Sequence, residues 1–462
     1  MTAYHDFVAA KRRRVVSVGF DAPDLHPSLF EHQRLIVGWA CRMGRAAVFA
    51  DTGLGKTRMQ VDWARLCAQH AGGNALILAP LAVADQTIRE GRKMGADIGW
   101  HGEGCAISII NYDKLHTINP ADFVAVALDE SSILKSYDGA TRTAIIEAFS
   151  ATPYRLACTA TPAPNDHTEL GNHAEFLGVC TRMEMLAEFF VHDGESSAHS
   201  GWRLKGHAVG SFWEWVASWA VMVRSPSDLG VDDDRYDLPP LRIHPVYVDH
   251  EVEASDGMLF ALPASTLSEQ RRVRRDTIDQ RIAAAAELAS GGEPCIVWCE
   301  LNDESAGCAA VIDGAVEVSG SDDPDTKRAR MVAFADGGAR VMVTKPSIAG
   351  FGMNWQHCRR MVFVGVSHSY EMFYQAVRRC WRFGQDRPVD VYLVQSRMDG
   401  QIARNLQRKA ADADRMAASM VAHVRGHQIL SVTGRRPGAP PDAGRAVVAP
   451  DWLASADHRA GS

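Results

Sequence analysis

The feature that most restricts this chain is the octapeptide ADTGLGKT, Ala50 to Thr57. It is entered by the apolar run RAAVF and left by RMQVDWARLCAQH. Two glycines let backbone N–H groups close around phosphate oxygens, a lysine adds a point charge, and a threonine hydroxyl suits a hard cation. Such a loop needs a buried strand before it and a helix after it, because the unpaired N–H groups of the helix start help hold the anion. Met59, Trp63 and Leu66 fall on one face of the expected helix. The loop therefore implies an α/β sheet domain that binds a nucleotide through Asp51, Thr52, Gly53, Leu54, Gly55, Lys56 and Thr57. Ala50 stands where the pattern usually has glycine.

Further apolar runs follow the same rhythm. NALILAP from Asn74, CAISIIN from Cys105, FVAVALDE from Phe123 and RLACTATP from Arg155 read as strands buried on both faces of a parallel sheet. A second series, PCIVWCE, AVEVSG, ARVMVTK, RMVFVGV and VDVYLV, begins near residue 294 and predicts a second parallel-sheet domain. Two such domains suit a chain of 462 residues. The expected organisation is an N-terminal extension over 1–24, a first lobe over 25–230 and a linker over 231–241. A second lobe then covers 242–425, and a Gly-, Pro-, Ala- and Arg-rich flexible tail covers 426–462. Within the first lobe, FWEWVASWAVMV predicts a helix with Phe212, Trp215, Val216 and Trp219 inward. A long helix is expected over about 266–289, with Arg271 to Arg275 on a charged face.

Bulk properties exclude little. Apolar residues make up 46% and charged residues 23%, as in ordinary globular proteins. The ten cysteines form no C-x-x-C pair, which speaks against structural zinc and for reduced thiols. The basic run Lys11 to Arg14 stands where a leader would be apolar, so a cytoplasmic protein is expected. That run reads as a solvated face, with phosphate contact as the alternative. The net charge of −7 runs mildly against a nucleic-acid binder, although a motor gripping a backbone in a cleft needs only local basic residues.

Three further constellations carry chemistry. VAVALDESS ends a strand in Asp129 and Glu130, about 75 residues after the phosphate loop. There Asp129 would hold Mg²⁺ through water, together with Thr57, and Glu130 would orient and deprotonate an attacking water. TATP, Thr159 to Pro162, closes another strand with small hydroxyl residues. QAVRRCWRFGQ, Gln375 to Gln385, places Arg379 and Arg382 three apart on a helix in the second domain. Arginines from a second domain suit charge stabilisation at a γ-phosphate.

The collinear set resembles the superfamily-two helicases, and within them the Swi/Snf-like branch, over roughly residues 25 to 400. LFEHQRLIVGW resembles the upstream glutamine motif, which makes Gln33 an adenine contact. LILAP resembles motif Ia, IINYDKL the Asn-Tyr segment, and DESSILK the Asp-Glu-Ala-His box with Lys135 trailing. TATPAPND followed by Glu169-Leu170 and Phe176-Leu177 resembles motif III, SIAGFGMNW motif V, and QAVRRCWRFGQ motif VI. The resemblance implies two tandem RecA-like lobes around an ATP cleft and a catalytic set of Lys56, Glu130, Arg379 and Arg382. It adds Gly352 and Gln375 to the ATP contacts. It places Pro80, Asn111, Tyr112, Thr161, Gly350 and Asn354 against nucleic acid. ATP and Mg²⁺ are the implied cofactors. Duplex DNA, bound without sequence specificity, is the implied partner, and translocation the implied activity. A strand-separating helicase and a degenerate DNA-binding scaffold are the alternatives. Ser131-Ser132 replaces the Ala-His of the box, so coupling to motif III is expected to run differently. The compact chain suits a small prokaryotic or phage-encoded member.

Overall fold

The computed structural model describes residues 17–135, 139–163, 166–192, 201–248, 275–349, 354–365, 370–396 and 400–434. The Lys11–Arg14 run, Arg271 to Arg274, Gly350, Gly352 and the tail beyond 434 lie outside them.

The first lobe is a seven-stranded sheet in the order β3-β4-β2-β5-β6-β1-β9, with every pairing parallel. Its strands are β1 (Arg45–Ala50), β2 (Asn74–Ala79), β3 (Ile98–Trp100), β4 (Ile107–Asn111), β5 (Phe123–Asp129), β6 (Tyr154–Thr159) and β9 (Ala220–Val223). Helix α1 (Glu31–Met43) and helix α2 (Lys56–Ala71) cover one face, where Met59, Trp63 and Leu66 are all buried. Helices α3 (Leu81–Lys93), α4 (Ala140–Ala148), α5 (Leu170–Leu177), α6 (Arg182–Phe189) and α7 (Val209–Ala217) complete the lobe. Strands β7 (Phe190–His192) and β8 (Trp202–Leu204) form a separate antiparallel pair.

The second lobe is a six-stranded parallel sheet in the order β10-β15-β14-β11-β13-β12. It comprises β10 (Leu241–Val248), β11 (Cys295–Trp298), β12 (Ala315–Val318), β13 (Val341–Thr344), β14 (Arg360–Phe363) and β15 (Val389–Ser396). Its helices are α8 (Ile278–Ala289), α9 (Asn302–Val311), α10 (Pro324–Ala335), the short α11 (Pro346–Ala349) and α12 (Tyr370–Val377). A buried ion pair underpins it: Arg281 Nη1 lies 2.6 Å from Glu304 Oε1 and donates to the Val364 carbonyl, while Glu304 Oε2 accepts from two backbone N–H groups. The architecture is the expected one, two tandem parallel-sheet lobes of the RecA-like kind.

Two local expectations are corrected. Helix α7 ends at Ala217 rather than running through the aromatic stretch, because the Ser218 and Trp219 amides fold back onto the Trp215 and Val216 carbonyls. The following AVMV then pairs with β1, and Trp213 is buried where Trp215 was expected, Trp215 being half-buried. Within the stretch read as the linker, Asp234–Tyr236 forms a 3-10 turn, and Tyr236 packs on Phe383 of the second lobe. The final helix, α13 (Gly400–Thr433), runs past the expected start of the tail at residue 426 and returns to the first lobe. There the Gln428 amide accepts from Met222 N at 3.0 Å and donates to Met222 O at 2.9 Å, closing edge strand β9 as another strand would. Val424 and Val432 join the two cores of that lobe. No helix among the described residues is long and apolar enough to cross a membrane.

Candidate nucleotide and nucleic-acid site

Parallel pairing brings the carboxyl ends of β1, β5 and β6 side by side, and in such sheets ligands bind at that edge. Strand β6 lies between the other two, so Thr159 stands between the phosphate loop after β1 and the acidic pair after β5. The loop depends on its glycines. Gly53 and Gly55 have φ of 97° and 83°. A Cβ at Gly55 would lie 2.2 Å from Gln33 Nε2, and one at Gly53 would lie 3.0 Å from the backbone N of Phe383. Lys56 begins α2 and turns its ammonium onto the Ala50 carbonyl at 2.8 Å; Thr57 is half-buried in the first helical turn. Gln33 donates to the Leu54 carbonyl at 3.0 Å and accepts from Phe30 N at 3.1 Å, so its amide braces the loop. Thr52 N donates to Asp51 Oδ1.

Asp129 is buried and accepts from Gln60 Nε2 at 2.8 Å. Burial pushes its carboxyl above the ordinary carboxylate range, against the pull of Gln60 and the Lys56 cation. Glu130 follows with φ 55°, the one non-glycine at positive φ among the described residues, and its Oε2 lies 3.4 Å from Thr159 Oγ1. Ser131 Oγ lies 3.1 Å from Nε2 of the fully buried His173. Burial depresses the His173 pKa to about 4, although carbonyls of Glu169 and Ser131 pull upward, so the ring is neutral near pH 7.

The second lobe meets this edge through α12 and the residues after it. Tyr374 and Arg378 both reach Asp51 in the phosphate loop, Arg378 by a buried ion pair. Burial alone would raise the Asp51 pKa, but Arg378 and Tyr374 outweigh it and hold the carboxyl below its usual range. Arg379 is buried, and burial brings its pKa down to about 10 against the opposing charges of Glu130 and Asp129. Arg382 is likewise brought to about 10 by burial, then by Arg379 and Arg378. Its Cβ would lie 3.7 Å from a Cβ at Gly53, against the phosphate loop. Gln375, expected at the nucleotide, instead holds Arg379 through its carbonyl and side-chain oxygen, each at 3.1 Å. Gln385 Nε2 donates to the carbonyls of Gln356, Cys358 and Cys380, so the closing Gly-Gln of this segment is a brace.

Phe30, Tyr236 and Phe383, from three different segments, form an aromatic cluster beside Leu54, with the Arg235 guanidinium 4.5 Å from the Phe30 ring centre. A cavity of about 700 Å³ adjoins the loop, lined by Asp51, Gly53, Tyr236, Tyr374, Arg378 and Phe383 among others. Sequence reasoning missed Tyr374, Arg378, Tyr236 and Phe383. The only signal was the i, i+4 spacing of Tyr374 and Arg378 on one helix face.

The residues expected at nucleic acid divide. Pro80, Asn111 and Thr161 follow or end β2, β4 and β6 at the same sheet edge and are half-buried; Asn354 is exposed. Tyr112 is corrected: its ring is buried and its hydroxyl donates to the Asp129 carbonyl at 2.6 Å, which makes it a support of the acidic turn rather than a surface contact. Gly350 and Gly352 lie outside the described residues.

The glycine loop, the open helix start, Lys56 and the buried Asp129, bonded to Gln60 of the same helix, together fit a nucleoside triphosphate with a hard divalent cation. No protein-family model matches the sequence, and no curated relative does. Among solved structures the chain is similar to Dbp5 of S. cerevisiae bound to RNA and ADP BeF3. The similarity has a TM-score of 0.50 and 12% identity, and covers 82% of this chain and 89% of that one. At that identity the likeness shows the fold alone, two tandem RecA-like lobes.

Proposed function

We propose that this chain is a nucleic-acid-dependent ATPase of the superfamily-two helicase type, with Swi/Snf-like translocation on duplex DNA as its activity. The observation that carries the reading is the convergence of Lys56, Asp129 and Glu130 from one lobe with the charge of Arg379 from the other. Lys56 and the loop amides would hold the β- and γ-phosphates. Glu130 would accept a proton from the attacking water, while Arg379 and Arg382 meet the charge that develops on the transferred phosphoryl group. A divalent cation on Thr57 and Asp129 would neutralise phosphate charge and draw the γ-phosphate into line. Because one lobe supplies the base and the other the arginines, turnover requires the cleft to close, and closure can shift one lobe along a strand.

Pro80, Asn111, Thr161 and Asn354 would contact the backbone of the nucleic acid, giving salt-sensitive binding with little sequence preference. The Dbp5 structure contains RNA, so RNA belongs in the test. Triplex displacement beside fork unwinding separates the activities. The proposal expects ATP-dependent displacement of a triplex strand from duplex DNA and no unwinding. Unwinding of a fork, or action on RNA alone, would replace the Swi/Snf-like reading with a strand-separating one.

A further inference from the structure

Glu130 occupies a backbone conformation that L-residues avoid, at φ 55°. Left-handed backbone costs a non-glycine residue about 1–2 kcal/mol and persists only where the surroundings fix it. Beside Tyr112, which holds the Asp129 carbonyl, several of the contacts come from one segment, the chain that leaves β6 and continues into α5. Thr159 at the end of β6 reaches the Glu130 carboxylate. Fourteen residues on, His173 of α5 meets Ser131, the residue directly after Glu130. Its neighbour Asn172 donates to the Leu134 carbonyl at 2.7 Å and the Lys135 carbonyl at 3.3 Å. The turn Ser131–Lys135 is thus clamped at both ends by adjacent residues of one helix. His173, Asn172 and Ser131 are all fully buried. The His173 ring is held edge-on by Phe49 of β1, with centroids 5.1 Å apart, so its position is tied to the strand that feeds the phosphate loop.

We infer that His173, acting through Ser131, is a positioning residue that holds Glu130 in line for the attacking water, and that this bond takes the place of the box histidine absent at position 132. The inference rests on the ATPase reading above. A bond whose purpose is to aim Glu130 affects the chemical step more than nucleotide binding.

The test is steady-state hydrolysis with duplex DNA, beside binding of a nonhydrolysable ATP analogue. The proteins are wild type, Ser131→Ala, His173→Leu, the double variant, His173→Gln and Glu130→Gln. Ser131→Ala and His173→Leu each lower kcat about tenfold, with KM and analogue affinity within about twofold. The double variant is no slower than either single one, because both remove the same bond. His173→Gln, whose amide can either donate to or accept from Ser131, recovers most of the loss. A kcat within twofold of wild type in Ser131→Ala, or losses that multiply in the double variant, overturns the assignment. If His173→Leu does not fold, Ser131→Ala and His173→Gln decide by the same criteria. Glu130→Gln separates the two levels: if wild type turns over and Glu130→Gln does not, the ATPase reading stands whatever Ser131 shows. No turnover by wild type sinks both.

Discussion

The two sides of the cleft satisfy their charged groups in opposite ways. In the first lobe, Asp51 apart, the groups find partners nearby: Lys56 on the Ala50 carbonyl, Asp129 on Gln60, Glu130 on Thr159, Gln33 on Leu54. In the second lobe Arg379 is held locally by Gln375, while Tyr374 and Arg378 reach across the cleft to Asp51. One side is therefore a preformed site on a rigid sheet edge. The other carries Arg379, which the proposed function gives to chemistry, and, directly before it, Arg378, which reaches the first lobe. Hydrolysis and lobe contact are assigned to neighbouring residues, so they can be separated by mutation.

The largest effects fall on the chemical groups. Arg379→Ala and Arg382→Ala should each cut nucleic-acid-stimulated turnover by about a thousandfold while sparing nucleotide binding, as expected of arginines that stabilise phosphoryl charge. Unchanged turnover in either variant removes that residue from the role. Breaking the fastening should look different. Arg378→Ala leaves Asp51 without its cation in a partly buried place, and the closed state becomes less populated. Apparent affinity for ATP should fall about tenfold at little cost in saturated rate. The exchange of Asp51→Arg with Arg378→Asp should recover part of it. An Arg378→Ala protein with wild-type KM and reduced kcat would erase the distinction between the two arginines.

Stability predictions sharpen the same contrast. Glu304→Ala strands Arg281 in the second lobe and should cost about 3–5 kcal/mol in denaturant unfolding of that lobe, without a direct effect on the first. Gln428→Ala removes the amide that closes β9 and should cost about 1–2 kcal/mol, read in the first lobe. The weakest effect is from acid. His173 has its pKa lowered from 6.5 to about 4 by burial, so the folded state favours the neutral ring. The stability this contributes is complete above pH 6.5 and declines as pH falls towards 4, by about 1 kcal/mol at pH 6. A His173→Leu protein should lack that part of the pH dependence.

Much of this is legible in the sequence. Strands buried on both faces are written as unbroken apolar runs, so β1, β2, β4, β5 and β6 and their counterparts in the second lobe stood out. Their polar ends carried the chemical groups with them. What escaped has a common cause, dependence on distant segments. Strand β9 was hidden inside an aromatic stretch that reads as one helix, and only its pairing with β1 distinguishes it. Arg378 was indistinguishable from the charged face of a helix until Asp51 lay opposite. Gln428, in a segment that shades into a Gly- and Pro-rich tail, became structural only because Met222 needed an edge partner. Tyr112 was misread because the Asn-Tyr segment looks like a surface motif, while its hydroxyl belongs to the Asp129 carbonyl.

The central claim, that the loop at Lys56 and the acidic pair at Asp129 drive hydrolysis in response to nucleic acid, is tested most directly by ATP hydrolysis rates. Wild type and Lys56→Ala are compared with no nucleic acid, single-stranded DNA, duplex DNA and duplex RNA. The account predicts a wild-type rate raised most by duplex DNA and a Lys56→Ala rate at background under every condition. Hydrolysis that persists in Lys56→Ala, or a wild-type rate that no nucleic acid raises, would contradict it.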